Sequence, residues 1–254
     1  HFINEIPQSE IAPVGIDAKQ YKLQTNGTKI PKYRLTHDQT FEASVGQSVN
    51  NRTQRHKLDP LFYGGCLSRL IHYIVSLRHY LPNTKILCGK SDIKSAYRRI
   101  TLNGNTAAQC SIMCEQYGLL SLRLTFGGSP CSNEWCVLSE ICTDLANDLL
   151  HSKEWDHTIL YSPHIPKIPP PSYLDHNLPF TKAEDLDVYI PFDPSGRIDD
   201  FIDDSIAVVP DLDHNKDRGV AAILLAIHTL FRPLDPNEPI QRDACLSFAK
   251  LAEE

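Results

Sequence analysis

The stretch Arg197-Ile-Asp-Asp-Phe-Ile-Asp-Asp-Ser-Ile-Ala-Val-Val209 sets four aspartates among residues that favour β-strands. Aspartate is a poor strand residue, and neighbouring carboxylates repel one another unless a cation lies between them. Apolar residues on both sides of Asp203-Asp204 predict a β-hairpin around this pair. A pair of Mg²⁺ ions would relieve the repulsion, so the stretch indicates metal-assisted phosphoryl chemistry.

The two aspartate pairs of this stretch differ in the residues that precede them. Strand-forming residues lead into and out of Asp203-Asp204, whereas Asp193-Pro-Ser-Gly-Arg197, a poor strand sequence, precedes Asp199-Asp200. We therefore predict that Asp203 and Asp204 bind the metal, and that Asp199 and Asp200 are solvated charges at the entry of the strand.

A third carboxylate is expected from a neighbouring strand. Residues 84–96 are apolar around a single acidic residue, Asp92. This pattern predicts a second strand that brings Asp92 to the hairpin.

The remaining elements follow from hydrophobic periodicity and breaker residues. Helices are predicted at about 60–80, 133–150, 217–231 and 242–254. Further strands are predicted at 31–38, 100–102 and 107–113, and a hairpin at 116–126. Residues 1–30 show little periodicity, and the proline-rich residues 151–196 indicate an inserted surface loop.

Length and composition indicate a globular protein. The chain has 254 residues, 41% of them hydrophobic, which is enough for one sizeable core or two smaller ones. No apolar run approaches the ~20 residues that span a bilayer, and no secretory leader opens the chain. We expect a soluble intracellular protein, in the cytoplasm or nucleus. The start at His1 and the stop at Glu254 after a helical pattern indicate a piece of a longer protein.

The eight cysteines form no CxxC pair and have no histidine companions at zinc spacing. Most lie in apolar stretches, where a reduced thiol packs like a small hydrophobic side chain. Buried free thiols are therefore preferred over a structural zinc site.

Charge is distributed unevenly along the chain. The net charge is −6, but residues 1–125 hold 16 Lys and Arg against 8 Asp and Glu, and the remainder holds 9 against 23. Phosphate backbones are attracted to a basic region and hard cations to an acidic one. One nucleic-acid substrate with bound metal could use both halves, although ordinary surface charge is the alternative.

The order of the motifs resembles the palm of reverse transcriptases. Asp92 is followed five residues later by Tyr97, Phe126-Gly127 precedes a helix, and Phe201-Ile-Asp203-Asp204 comes last. The segments "SDIKSAYRRI", "RLTFGGSP" and "FIDDSIAVV" are similar in sequence to segments of retrotransposon polymerases of the gypsy-like or DIRS-like groups. Each motif alone is weak evidence for the resemblance, but three motifs in the same order, within residues 30–254, are strong evidence.

The resemblance implies an α+β fold, the right-hand polymerase palm with an antiparallel sheet and packed helices, plus fingers. The fingers would comprise residues 1–70 and 103–130. The palm would comprise residues 71–102 and 131–254, interrupted by the proline-rich insertion at about 151–196. The thumb, the primer grip and an RNase H domain would be missing, and such a fragment would be inactive if it needs them.

The resemblance also implies roles at the metal site. Asp92 and Asp203 would bridge two Mg²⁺ ions, for which Mn²⁺ is a substitute, and Asp204 would support them. The main-chain carbonyl of Ile93 would be a further ligand. Tyr97 would be a steric gate that leaves no room for a ribose 2′-hydroxyl, with a plain core tyrosine as the alternative.

For the nucleotide, the resemblance implies that Arg34 and Lys32 bind the triphosphate, although both could be ordinary surface charges. Phe126 and Gly127 would line the base and the template, with Gly128 as an alternative to Gly127. The chain departs mildly from the family here, because Thr125 stands where proline is common.

Other matched positions carry weaker implications. Asp38 and Asn50 would fix the loop between a strand and a helix. Lys250 would be a general acid that protonates the leaving pyrophosphate, or simply part of an amphipathic helix. Arg98 and Arg99 would contact template or primer phosphate, or form salt bridges.

The function implied is RNA-directed DNA polymerisation, with an RNA or DNA template, a primer and deoxynucleoside triphosphates as partners and no membrane. A two-metal nuclease would use the same carboxylates, but the spacing of Tyr97 and Phe126-Gly127 disfavours it. A domesticated retroelement remnant that binds nucleic acid without catalysis is the alternative from another class.

Overall fold

The computed structural model describes residues 11–24, 27–42, 48–114, 117–156, 193–212, 214–235, 237–239 and 243–247. The strands are β1 (Ile11–Ala12), β2 (Val14–Leu23), β3 (Lys29–His37), β4 (Ile86–Asp92), β5 (Ser111–Cys114), β6 (Tyr117–Leu119), β7 (Arg197–Phe201) and β8 (Asp204–Pro210). The α-helices are α1 (Val49–Arg52), α2 (Cys66–Tyr80), α3 (Gly104–Gln109), α4 (Cys131–His151) and α5 (Asn215–Phe231). Short 3-10 helices lie at Arg55–Lys57, Phe62–Gly65 and Ala96–Arg99.

The chain forms two compact units. One contains His1–Pro60 and Ala96–Trp135, and the other contains Leu61–Ser95 and Cys136–Glu254. The predicted breaks at 70, 102 and 130 thus compare with observed breaks at 60, 95 and 135. The α+β class, with an antiparallel sheet and packed helices, is confirmed.

The second unit is built on an antiparallel sheet in the order β4-β8-β7. Strand β8 is central because its apolar sequence can be buried on both faces, and Ala207, Val208 and Val209 are at most 3% exposed. Successive side chains point to opposite faces. On one face Val208 packs with α2 in a core cluster with Cys66, Leu70, Tyr73 and Leu77.

The opposite face of this sheet is covered by α5. Gly219 and small residues of this helix let it approach β8 closely, and a Cβ at Gly219 would meet Val209 Cγ1 at 3.1 Å. Ala221, Ala222 and Ala226 are fully buried, at 0% exposure. The sheet is therefore held between α2 on one face and α5 on the other.

The first unit contains the antiparallel pair β2-β3 and a three-stranded sheet in the order β1-β5-β6. The predicted strand at 31–38 corresponds to β3, but its partner β2 was missed. The register of β2 shifts between Ala18 and Gln20. This irregularity breaks the two-residue period, so residues 14–23 show no sustained alternation.

Three predicted elements differ from the structure. Residues 100–102 contain only an isolated bridge, from Thr101 to Arg123. Of the predicted strand at 107–113, residues 107–109 belong to α3, because Asn103 caps this helix by accepting a hydrogen bond from Thr106 N at 2.9 Å, and only the later residues form β5. In the predicted last helix, residues 243–247 are not helical, and Leu246 instead forms an antiparallel bridge with Ile93. Tertiary pairing thus overrides the local helical pattern there. Residues 157–192 of the proline-rich insertion lie outside the described residues.

The cysteine prediction is confirmed for most positions. Cys66, Cys110, Cys131, Cys136, Cys142 and Cys245 are buried free thiols, while Cys88 is free but exposed. Among the described residues, no helix combines the length and the apolar character needed to cross a membrane.

Candidate metal centre

Asp92, Asp203 and Asp204 lie together in the second unit. One carboxylate oxygen from each lies within 4.8 Å of the other two. Asp92 is the last residue of β4 and Asp204 is the first of β8, and the two are direct partners in the antiparallel register. Asp203 lies in the turn between β7 and β8, so one hairpin and one neighbouring strand supply all three carboxylates.

The hairpin turn consists of Ile202 and Asp203, between the paired residues Phe201 and Asp204. Ile202 has a φ of 63°. A β-branched side chain in this left-handed region is strained, and such strain is often found at functional sites. The turn presents Asp203 beyond the end of the ladder.

Main-chain hydrogen bonds fix the end of β4 on both sides. Ile93 N donates to Asp203 O at 2.8 Å on the hairpin side. On the other side, Ser247 N donates to Asp92 O and Lys94 N donates to Cys245 O, both at 3.0 Å. The end of β4 at Asp92 is therefore held between the hairpin turn and residues 243–247.

The electrostatics and the chemistry of this cluster fit a hard divalent cation. Asp92 is 6% exposed, and Asp203 and Asp204 are half-buried. Lys90 Nζ lies 3.3 Å from Asp204 Oδ2, while Asp204 Oδ1 is buried and accepts no hydrogen bond from the described residues. Clustered carboxylate oxygens are the ligands that Mg²⁺ and Mn²⁺ prefer.

The prediction that Asp199 is a solvated charge is wrong. Asp199 is 3% exposed, and Arg69 of α2 binds it through two hydrogen bonds of 2.6 Å, from Nε to Oδ2 and from Nη2 to Oδ1. Arg69 Nη1 also donates to Phe62 O at 3.0 Å. The paired charges join α2 to the edge strand β7, and Asp199 is not one of the three clustered carboxylates.

The prediction for Asp200 is also wrong. Asp199 faces α2, so the next residue along the strand, Asp200, points to the opposite face of the sheet. There Asp200 is 2% exposed. Burial raises the pKa of Asp200 to about 7, and the negative charges of Asp199 and Glu140 add to the rise. Thr143 and Ser205 face the carboxyl and lower the pKa in part, although neither hydroxyl makes a full hydrogen bond to it. Asp200 is thus a buried acid that is largely protonated below neutral pH.

In the first unit, Tyr97 belongs to an aromatic cluster. Its ring centroid lies 5.3 Å from that of Phe126 and 6.3 Å from that of Trp135. The hydroxyl groups of Tyr97 and Ser132 are 3.1 Å apart. Trp135 is fully buried whereas Phe126 is 45% exposed, so Tyr97 contacts one buried aromatic ring and one exposed aromatic ring.

The turn at Gly127-Gly128 requires glycine at position 127 and is crowded at position 128. Gly127 has a φ of 101°, and a Cβ there would collide with the carbonyl oxygen of His37. A Cβ at Gly128 would lie 2.6 Å from both Cys131 Sγ and Gln39 Oε1. Asn50 holds this turn, since its Nδ2 donates to Gly127 O at 2.8 Å and its Oδ1 accepts from Ser129 N at 2.6 Å.

Neighbouring residues explain the departure at position 125 and the role of Asp38. Thr125 is buried, and its hydroxyl accepts a hydrogen bond from Gln39 Nε2, which a proline could not do. Asp38 Oδ1 accepts from Thr40 N at 3.1 Å and shapes the loop that follows β3. Both contacts are structural.

The other candidates are placed as follows. Lys32 and Arg34 lie on β3, opposite Gln20 and Asp17 of β2. Arg98 is exposed, and Arg99 O accepts from Arg123 Nη1 at 3.3 Å. Lys250 lies outside the described residues.

Sequence reasoning missed four features of this site: Arg69, the ion pair of Lys90, the buried acid Asp200, and residues 243–247. Lys90 could have been found, because it precedes Asp92 by two residues and a strand places both on one face. Arg69 and Asp199 are 130 residues apart and carry no local signal.

Comparisons of this chain with protein-family models, with curated proteins and with solved structures gave no match.

Proposed function

We propose that the chain is the polymerase core of a retroelement reverse transcriptase, an RNA-directed DNA polymerase that uses two Mg²⁺ ions. The observation that carries the proposal is the carboxylate triad. Asp92, Asp203 and Asp204 are far apart in sequence, yet one oxygen from each lies within 4.8 Å of the others. The order of the sequence motifs predicts the same grouping.

The chain's own residues would hold the cations and orient the substrate. Asp92 and Asp203 would bind both ions, Asp204 would support them, and the Ile93 carbonyl would be an additional ligand. Bound Mg²⁺, or Mn²⁺ in its place, would activate the primer 3′-hydroxyl and neutralise the triphosphate. The main-chain hydrogen bonds that hold the end of β4 at Asp92 and the fixed turn at Asp203 would supply the positioning on which such catalysis depends.

Residues of the first unit would contact the nucleotide. The open face of Phe126 and the ring of Tyr97 offer an apolar surface for a base and a sugar, with Tyr97 as the gate against ribose. Gly127 would allow close approach of the template backbone. Arg34 and Lys32 on β3 would bind the triphosphate, Arg34 through its planar fork.

The charge distribution supports a nucleic-acid substrate. The net positive first half of the chain would attract the phosphates of a primer and its RNA or DNA template, and the acidic second half would attract the cations. A basic region and an acidic region together suit a polymerase, because the cations held by the carboxylates would also bind the negatively charged substrate.

The test is Mg²⁺-dependent extension of a DNA primer on an RNA template, by a version of the protein that includes a thumb segment. We expect extension by the wild type, none by Asp203→Asn, and normal extension by Asp211→Asn, which changes an exposed carboxylate just beyond β8. Cleavage without extension would identify a two-metal nuclease. Binding without either reaction would identify a non-catalytic remnant.

A further inference from the structure

Lys90 lies beside the carboxylate cluster and has none of the roles proposed above. It precedes Asp92 by two residues on β4, so both side chains lie on the same face of the sheet. Lys90 pairs with Ile206 in the ladder, which makes Asp204 its diagonal neighbour. The long side chain spans this diagonal, and its Nζ lies 3.3 Å from Asp204 Oδ2.

The surroundings distinguish this ion pair from an ordinary surface pair. The side chains of Lys90 and Asp204 are only 37% and 25% exposed, and the oxygens of Asp92 and Asp203 lie within 4.8 Å of that of Asp204. An isolated exposed pair contributes little. An ammonium group beside three clustered carboxylates, however, reduces the repulsion among all of them.

The same charge has the opposite effect on a divalent cation. A cation that binds these carboxylates is repelled by the nearby ammonium group and competes with it for Asp204. Lys90 therefore favours the metal-free cluster and disfavours the metal-bound one.

We propose that Lys90 is a positioning residue of the metal centre. It acts as an internal counter-ion of Asp204 and sets the cation concentration at which the site formed by the three carboxylates becomes occupied. This inference rests on the proposed metal centre and adds to it a control of metal loading. Lys90 holds the Asp204 carboxylate in place before the cation binds, and its positive charge weakens cation binding.

Lys94 provides a matched control on the same segment. Its Nζ also lies 3.3 Å from a carboxylate, Oδ1 of Asp243, but the two side chains are 45% and 73% exposed. Asp243 does not belong to the carboxylate cluster. Lys94→Met removes an equal charge and an ion pair of equal length without changing the counter-ion of Asp204.

The experiment measures Mn²⁺ binding to the protein by calorimetry, without nucleic acid or turnover. We expect Lys90→Met and Lys90→Gln to bind Mn²⁺ about 2- to 5-fold more tightly than the wild type, since an ion pair of this exposure is worth up to about 5-fold in affinity. Lys90→Arg, which keeps the charge, and Lys94→Met should bind as the wild type does.

Thermal unfolding gives a second readout. In EDTA, Lys90→Met should melt at a lower temperature than the wild type and Lys94→Met, and saturating Mn²⁺ should remove most of that difference. Equal or weaker Mn²⁺ binding by Lys90→Met, with binding lost in Asp203→Asn, would overturn the role of Lys90 and leave the metal centre intact. Absence of Mn²⁺ binding in both the folded wild type and folded Lys90→Met would overturn the metal centre and this inference together.

Discussion

Asp92 and Asp204 face each other directly across the ladder of β4 and β8, as register partners on the same face of the sheet. Like charges at such positions destabilise a sheet. Lys90 offsets part of this repulsion, and the strained turn at Ile202 adds a further cost. The fold therefore gives up stability at the site where the proposed chemistry needs clustered charge.

Neutralising one partner should stabilise the metal-free protein. In a Lys90→Met background, where the ion pair of Asp204 is already absent, we expect Asp204→Asn to raise the free energy of unfolding by about 0.5–1 kcal/mol in EDTA, the usual cost of opposed like charges. Urea unfolding measures this change. Asp204→Asn alone should lose most of the stabilisation that Mn²⁺ gives the wild type, while Asp211→Asn should retain it. A double variant less stable in EDTA than Lys90→Met would show that the carboxylates do not repel one another.

Arg69 and Asp199 should be coupled in stability. Arg69→Met leaves the buried Asp199 carboxylate without its two hydrogen bonds, so we expect a loss of about 2–3 kcal/mol, less than for a fully buried pair because a third of Arg69 is exposed. The double variant with Asp199→Leu removes both charges and should recover much of this loss. Additive losses in a double-mutant cycle by urea unfolding would contradict the coupling.

Asp200 should make stability depend on pH. Its pKa is about 7 in the folded protein and close to the ordinary aspartate value when unfolded. Protonation therefore stabilises the folded state fully below about pH 4, and this contribution is lost as the pH rises through about 7.

The matching variant is Asp200→Asn, which cannot ionise. Relative to the wild type, it should gain about 3 kcal/mol between about pH 4.5 and about pH 8, the free energy that corresponds to the shifted pKa. Comparing the two pH values cancels any fixed effect of the amide. A difference between variant and wild type that does not change with pH would refute the assignment.

The sequence predicted the parts of the site that depend on local pattern. Apolar residues around Asp203-Asp204 and around Asp92 define two strands, and the helices at 133–150 and 217–231 follow from their periodicity. These agree with the structure because local propensity and burial favour the same element there.

The failures lie where distant contacts decide the outcome. Asp199 and Asp200 look like solvated charges because a poor strand sequence precedes them, and only the fold brings Arg69 to Asp199 and buries Asp200. Residues 243–247 have a helical pattern, but pairing with the end of β4 satisfies their backbone instead. Sequence spacing carries no record of such partners.

Gly127 should not tolerate a side chain. Gly127→Ala combines a positive φ with a Cβ that collides with the His37 carbonyl oxygen, so we expect a loss of about 2–4 kcal/mol or no folded protein. Gly64→Ala is the control, since a Cβ there meets no atom within 4 Å. Thermal unfolding of both variants checks this, and equal stability would rule out the constraint on the turn.

Tyr97 should control the choice between deoxynucleotides and ribonucleotides if it is the gate. Tyr97→Ala removes the ring beside Phe126 and opens space for a ribose 2′-hydroxyl, so we expect it to incorporate ribonucleotides that the wild type rejects. Tyr97→Phe keeps the ring and loses only the contact with Ser132, and it should remain selective. Primer extension with each nucleotide type gives the ratio of kcat/KM values. Because truncation of a core aromatic would lower both rates together, a ratio unchanged in a folded Tyr97→Ala would assign Tyr97 to the core alone.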